Sequence, residues 1–87
     1  MRITFDPHKR HLTLMRRGLD MADAEEVFES EILSLADDRK DYGEERFISV
    51  GYLNGRMVVM VWTPRGENRR IISLRKANAR EQRLIEE

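Results

Sequence analysis

RFISVGYLNGRMVVMVWT, Arg46 to Thr63, is the stretch whose reading decides the fold. Two apolar runs flank Asn54-Gly55. A two-residue hairpin turn needs positive φ at both central positions, and Asn-Gly supplies them at least steric cost. The spacing predicts strands over Arg46–Leu53 and Arg56–Thr63. Pro64 and Gly66 then predict a turn over Thr63–Asn68, and RRIISL predicts a last strand over Arg69–Leu74. Asn78, with Glu81 three residues on, predicts a capped terminal helix anchored by Leu84 and Ile85.

Upstream of the hairpin, Ile32 to Ala36 reads as a strand and DDRKDYGEE, Asp37 to Glu45, as a polar loop. Asp6-Pro7 is a helix start, because the aspartate caps and proline suits the first helical position. The helix runs to about Arg17, and Gly18 ends it in a left-handed conformation. His8, Leu12 and Met15 share its apolar face. Asp20 opens a second helix, with Asp23 as a weak capping box and Met21, Ala24, Val27 and Phe28 as its buried stripe. Arg2 to Phe5 is a short first strand. The order is βααββββα. Residues 1–87 form one α+β domain, a mainly antiparallel sheet with the helices on one face and the other face partly open.

The chain of 87 residues has no net charge, yet its charges are segregated. Residues 1–20 hold five basic and two acidic groups, residues 21–45 two basic and ten acidic, and residues 46–87 nine basic and four acidic. That distribution describes a dipolar molecule with a basic working surface. The absence of cysteine excludes disulfides and thiolate metal sites. The longest apolar run, Met57 to Trp62, is too short to span a bilayer, and the start carries no apolar signal region, so the expected location is cytoplasmic, with no membrane partner.

Alternation along the last strand puts Arg70, Ile72 and Leu74 on one face and Arg69, Ile71, Ser73 and Arg75 on the other. The first set suits the helix side. The second suits an open polar face, so Ser73 and Arg75 are the leading candidates for phosphate contacts. Arginine binds phosphate through a two-pronged fork that lysine lacks. Arg46 opens its strand and either reaches that face or pairs with Glu44 or Glu45. Lys9 and Arg10 sit in the first turn of the first helix, where cations oppose the helix dipole, so each either has a use for its charge or is a tolerated surface cation. Tyr42, in a polar loop, is placed to stack on a base. His8 and His11 are three apart, which supplies at most half a metal site, and both rings are expected over the core edge. No phosphate loop, HExxH or Ser-His-Asp pattern is present, so neither a metal nor a cofactor is called for. No helix carries a clustered recognition face, so direct DNA binding by this chain alone is not expected.

DPHKR near the start, DDRKDYGEERF, Gly55-Arg56 after the hairpin, and RIISLRKA followed by Glu81 resemble the BrnT family of toxins. The likeness runs from Phe5 to Glu81. It implies a RelE-like ribonuclease fold and a metal-independent endoribonuclease of a type II toxin–antitoxin system. It further implies inhibition of translation by cleavage of an RNA substrate, with the ribose 2′-hydroxyl attacking the adjacent phosphate, and neutralisation by a cognate ribbon-helix-helix antitoxin. Lys9, Arg46, Ser73 and Arg75 are the expected catalytic set, and Arg39, Tyr42 and Arg70 the expected RNA-binding set. The chain departs from the family pattern at Thr13, Arg17 and Ile85. The alternative reading is a catalytically weak copy that acts as an RNA- or antitoxin-binding module.

Overall fold

The computed structural model describes residues Arg2 to Glu86. Strand β1 (Arg2–Phe5) leads into helix α1 (Pro7–Arg17), a 3-10 turn (Met21–Asp23) and helix α2 (Ala24–Glu29). Strands β2 (Leu33–Ala36), β3 (Phe47–Leu53), β4 (Arg56–Arg65) and β5 (Asn68–Lys76) follow, and helix α3 (Ala79–Glu86) closes the chain. The five strands form one sheet in the order β1-β5-β4-β3-β2. Only β1 on β5 is parallel.

The local signals hold where they rest on single-residue geometry. Asp6 accepts the His8 and Lys9 amides at 2.8 and 3.3 Å, and Gly18 ends α1 at φ 68°. Asn54 and Gly55 both have positive φ, 51° and 76°, as the tight hairpin requires. Asn78 and Glu81 cap α3 reciprocally, with amide-to-side-chain distances of 2.9 and 2.8 Å. Asp20 does cap, but it opens the 3-10 turn, and Asp23 makes no side-chain cap.

The core lies between the sheet and the elements that follow α1. Leu19, Met21, Ala24 and Val27 pack on Leu53, Val58, Met60, Ile71 and Leu74. Helix α2 approaches β3 so closely that a Cβ at Gly51 would lie 2.5 Å from the Val27 carbonyl oxygen. Ser30 fixes that contact: its hydroxyl accepts the Tyr52 amide at 2.8 Å while lying within hydrogen-bonding distance of the Glu26 carbonyl oxygen.

Four expectations need correction. Helix α1 buries no residue: Met15 is 72% exposed, and His8 and His11 face solvent rather than the core edge. The helix is held instead by polar contacts, Arg10 to Asp20 at 2.7 Å and Arg17 to the Leu74 carbonyl at 2.8 Å. Strand β4 continues through Pro64 to Arg65, so the turn shrinks to Gly66-Glu67. Proline is tolerated there because β4 has outrun β3, whose pairing ends at Phe47 opposite Trp62.

The third correction comes from a β-bulge. Val61 pairs with Ser73 but Trp62 pairs with Ile71, which leaves Ile72 as the extra residue. The bulge reverses the alternation: Ile71 joins Leu74 in the core, and Arg69 lies over Phe28 and Trp62 on the helix side, 4.3 and 4.8 Å from their ring centres. Fourth, the helices do not share one face. Helix α3 lies across the opposite face, where Ile85 packs beside Val50, Met57, Val59 and Ala77.

Candidate functional site

Strand β1 ends at Phe5 opposite Ile71, so the rest of β5 would be a bare edge. Helix α1 lies along that stretch, and Arg17 donates to the edge carbonyl of Leu74. Between them is a cleft of about 240 Å³ walled by Lys9, Thr13, Arg16 and Arg17 from α1 and by Ile72 and Ser73 from β5. Lys9, Thr13 and Arg16 are spaced i, i+4 and i+7, which brings them to one side of the helix. Among the described residues, three cations and no carboxylate line the cleft. Among the described residues, neither Lys9 nor Arg16 has an ion-pair partner.

Ser73 also borders a second, larger cavity of about 550 Å³ on the α3 face of the sheet. Arg39 and Arg75 stand on its rim. Arg75 forks onto Glu81, with both nitrogen–oxygen distances 2.8 Å. That guanidinium, aided by the Asn78 amide, holds the Glu81 carboxyl down at about 2. The same fork raises the Arg75 pKa above its ordinary value, against partial burial and the nearby charge of Arg39. Arg75 is therefore oriented by its pair with Glu81.

The polar loop before β3 forms a connected cluster. The Asp37 side chain is fully covered and accepts Arg39 through both oxygens, at 2.7 and 2.8 Å. The Arg39 fork contributes most to holding the Asp37 carboxyl at about 2, and Tyr42 donates to it at 3.3 Å. The Tyr42 ring carries the Arg46 guanidinium 4.1 Å from its centre and the Lys40 ammonium at 5.1 Å. Arg46 also pairs with Glu44 at 3.1 Å, and Arg65 reaches the other oxygen of that carboxylate at 3.1 Å. These pairs hold the Glu44 carboxyl below its usual range, the Arg46 hydrogen bond first.

The expected site residues thus fall into three groups. Lys9 and Ser73 share the α1–β5 cleft, Ser73 joins Arg39 and Arg75 at the larger cavity, and Arg46 joins Tyr42 in the loop cluster. Arg70 belongs to none of them. It sits between Thr4 and Thr63 near Asp6, whose carboxyl is lowered first by the His8 and Lys9 amides and only slightly by Arg70. Sequence reasoning missed Thr13, Arg16 and Arg17 as a set with Lys9. Their spacing was visible, but the edge they line was not. No three His, Cys, Asp or Glu side chains among the described residues are placed to hold a metal ion. No helix among them is long and apolar enough to cross a membrane.

Cationic side chains round an accessible cleft, with a hydroxyl at its lip, can seat a phosphate and stabilise negative charge that grows on it. A family model for the ribonuclease toxin BrnT of type II toxin–antitoxin systems matches residues 5–81. No curated protein matches the chain.

Proposed function

Because the chain belongs to the BrnT family of ribonuclease toxins of type II toxin–antitoxin systems, we propose that it cleaves RNA without a metal ion, by 2′-hydroxyl attack on the adjacent phosphate. The observation that carries this reading is the α1–β5 cleft, where Lys9, Arg16 and Arg17 gather with no acidic residue among the described residues that line it. Attack forms a bond from the 2′-oxygen to phosphorus and breaks the bond to the 5′-oxygen. The 2′ proton leaves to a base, and the departing 5′-oxygen takes one up. The products are a 2′,3′-cyclic phosphate and a 5′-hydroxyl. Charge builds on the non-bridging oxygens in the transition state, so preorganised cations aimed at them lower the barrier. Holding the 2′-oxygen in line with the leaving oxygen supplies a further part of the rate.

In this reading Lys9 and Ser73 grip the scissile phosphate, with Arg16 and Arg17 beside them. Arg75 adds a fork whose direction Glu81 sets. Arg46, Arg39 and Tyr42 border the path of the flanking strand, and Arg70 contacts a more distant phosphate. Cleavage of this kind inhibits translation, and the protein antitoxin of the family, here a ribbon-helix-helix protein, restrains it.

A variant series tests the assignment. Lys9→Ala and Arg75→Ala each lose about 10²–10³ in cleavage rate, the usual cost of one charged donor in a preorganised site. Arg83→Ala, on the exposed side of α3, stays near the parent rate. Equal rates in all three folded variants would remove the site from both the cleft and the β5 face.

A further inference from the structure

Arg56, just after the hairpin turn, and Lys76, at the end of the last strand, carry charge that the proposed cleavage leaves unused. The fold brings them together. Strand β4 begins at Arg56 and β5 ends at Lys76, and Lys76 pairs with Val58 across the antiparallel ladder. Both residues are exposed. They line two hollows at this end of the sheet. One, of about 250 Å³, lies on the α1 side, where Gly18 and Asn54 also border it. The other, of about 510 Å³, lies on the α3 side, bordered by Gln82 and Glu86.

The charge there is positive and uncompensated. Among the described residues, neither Arg56 nor Lys76 has an ion-pair partner, and no carboxylate lines the smaller hollow. Glu86 borders only the larger one, and Glu26, by the same turn, accepts the Asn54 amide at 2.9 Å. Gly18 brings the carbonyl end of α1 to the smaller hollow, and that end alone disfavours an anion with about half an elementary charge. The two full charges of Arg56 and Lys76 reverse the sign.

Position relative to the cleft narrows the ligand. Arg17 borders the α1–β5 cleft and donates to the Leu74 carbonyl, and the next residue, Gly18, borders the smaller hollow. Lys76 stands two residues beyond Leu74 on the same strand, about 7 Å further along. An extended sugar-phosphate backbone leaving the cleft past the end of α1 therefore meets Arg56 and Lys76 at a neighbouring phosphodiester. The solvent-facing lining of the smaller hollow is mainly polar, and no aromatic side chain among the described residues lines it. That suits a solvated phosphate rather than a stacked base or the apolar face of a polypeptide.

We propose that Arg56 and Lys76 form a second phosphate subsite, which holds the RNA backbone next to the phosphate being cleaved. The inference rests on the ribonuclease reading above and adds where the rest of the strand runs. Grip on a phosphate that does not react binds ground state and transition state alike, so it lowers KM and leaves kcat unchanged.

The test compares the full chain with an Arg56→Gln/Lys76→Gln variant and with an Arg80→Gln/Arg83→Gln variant, which removes the same charge from exposed positions of α3. Binding is measured to an RNA of about 12 nucleotides, within the usual footprint of a single-strand groove, 2′-O-methylated throughout so that it cannot be cut. Cleavage is measured on unmodified RNA of that length and on a dinucleotide, whose single phosphate fills only the cleft. The Arg56→Gln/Lys76→Gln variant binds the methylated RNA about tenfold more weakly, the loss expected for a charged hydrogen bond. Its slope of log affinity against log salt falls by about 0.7 for the phosphate released. On the long substrate KM rises by a similar factor with kcat unchanged, and on the dinucleotide the kinetics match the parent's. The α3 variant stays within about twofold of the parent throughout. The single variants Arg56→Gln and Lys76→Gln serve if the double variant does not fold. Parent-like affinity and slope in the Arg56→Gln/Lys76→Gln variant overturn the inference. So does an equal loss in the α3 variant, which reports bulk charge, or an equal loss on the dinucleotide, which moves the pair to the scissile phosphate. Weakened binding of the methylated RNA, with no RNA cut by the parent chain, supports the subsite and defeats the ribonuclease mechanism alone.

Discussion

Arg75 is claimed by two chemistries. Its fork onto Glu81 ties β5 to α3, and in the proposed mechanism its place beside Ser73 would offer a donor to the phosphate. The pairing has a readable pH signature. Glu81 and Asp37 are both held at about 2, below the ordinary carboxylate values of the unfolded chain, so each adds stability that is complete above those ordinary values. That stability is lost as pH falls from about 4.5 toward 2, because the native state must then take up protons it excludes. Thermal melts across this range should show the loss, and Glu81→Gln should flatten part of it. A Glu81→Gln variant with the same acid slope as the parent would mean that the fork contributes nothing in solution. The shared face of Ser73 and Arg75 was legible because they alternate along the strand. The face of Arg70 was not, because the bulge at Ile72 reverses the alternation upstream of it.

At the scale of elements, Gly51 decides how α2 sits on the sheet. A Cβ there would press into the Val27 carbonyl, a backbone atom that cannot rotate away. Gly51→Ala is therefore expected to cost about 1–3 kcal/mol, the usual range for overpacking. Urea titration measures this, and an unchanged midpoint would show that α2 shifts freely. Elements whose ends depend on one residue's own geometry were legible: the Asp6-Pro7 start, the Gly18 stop, the Asn54-Gly55 turn and the Asn78–Glu81 cap. Features that depend on a neighbour were not. The sequence of β4 gives no sign that β3 stops short of Pro64, and that of α3 none that it lies across the opposite face from α2. The cleft shows the same divide, since Lys9, Thr13 and Arg16 declare a common helix side, while the edge of β5 that faces them exists only because β1 is short.

For the whole molecule, the charge segregation seen in the sequence becomes spatial. Basic residues of α1 meet β5 at the cleft, while α2 and the loop before β3 carry eight of the sixteen acids. Such an arrangement draws a polyanion to one side and makes its binding sensitive to salt. Removing one phosphate contact by Lys9→Ala should lower the slope of log affinity against log salt for single-stranded RNA by about 0.7. A slope equal to the parent's would place Lys9 outside the bound strand. The larger cavity on the α3 face is the other large-scale feature, and alternation alone did not reveal it because each strand contributes only one or two of its residues.

Incubation of the purified chain with RNA in excess EDTA, with chemical analysis of the new ends, tests the central claim most directly. The account predicts cleavage that chelator does not suppress, leaving 2′,3′-cyclic phosphate and 5′-hydroxyl ends, and a large loss of rate in Lys9→Ala. Activity abolished by EDTA and restored by a divalent ion, or ends carrying a 5′-phosphate, would contradict it.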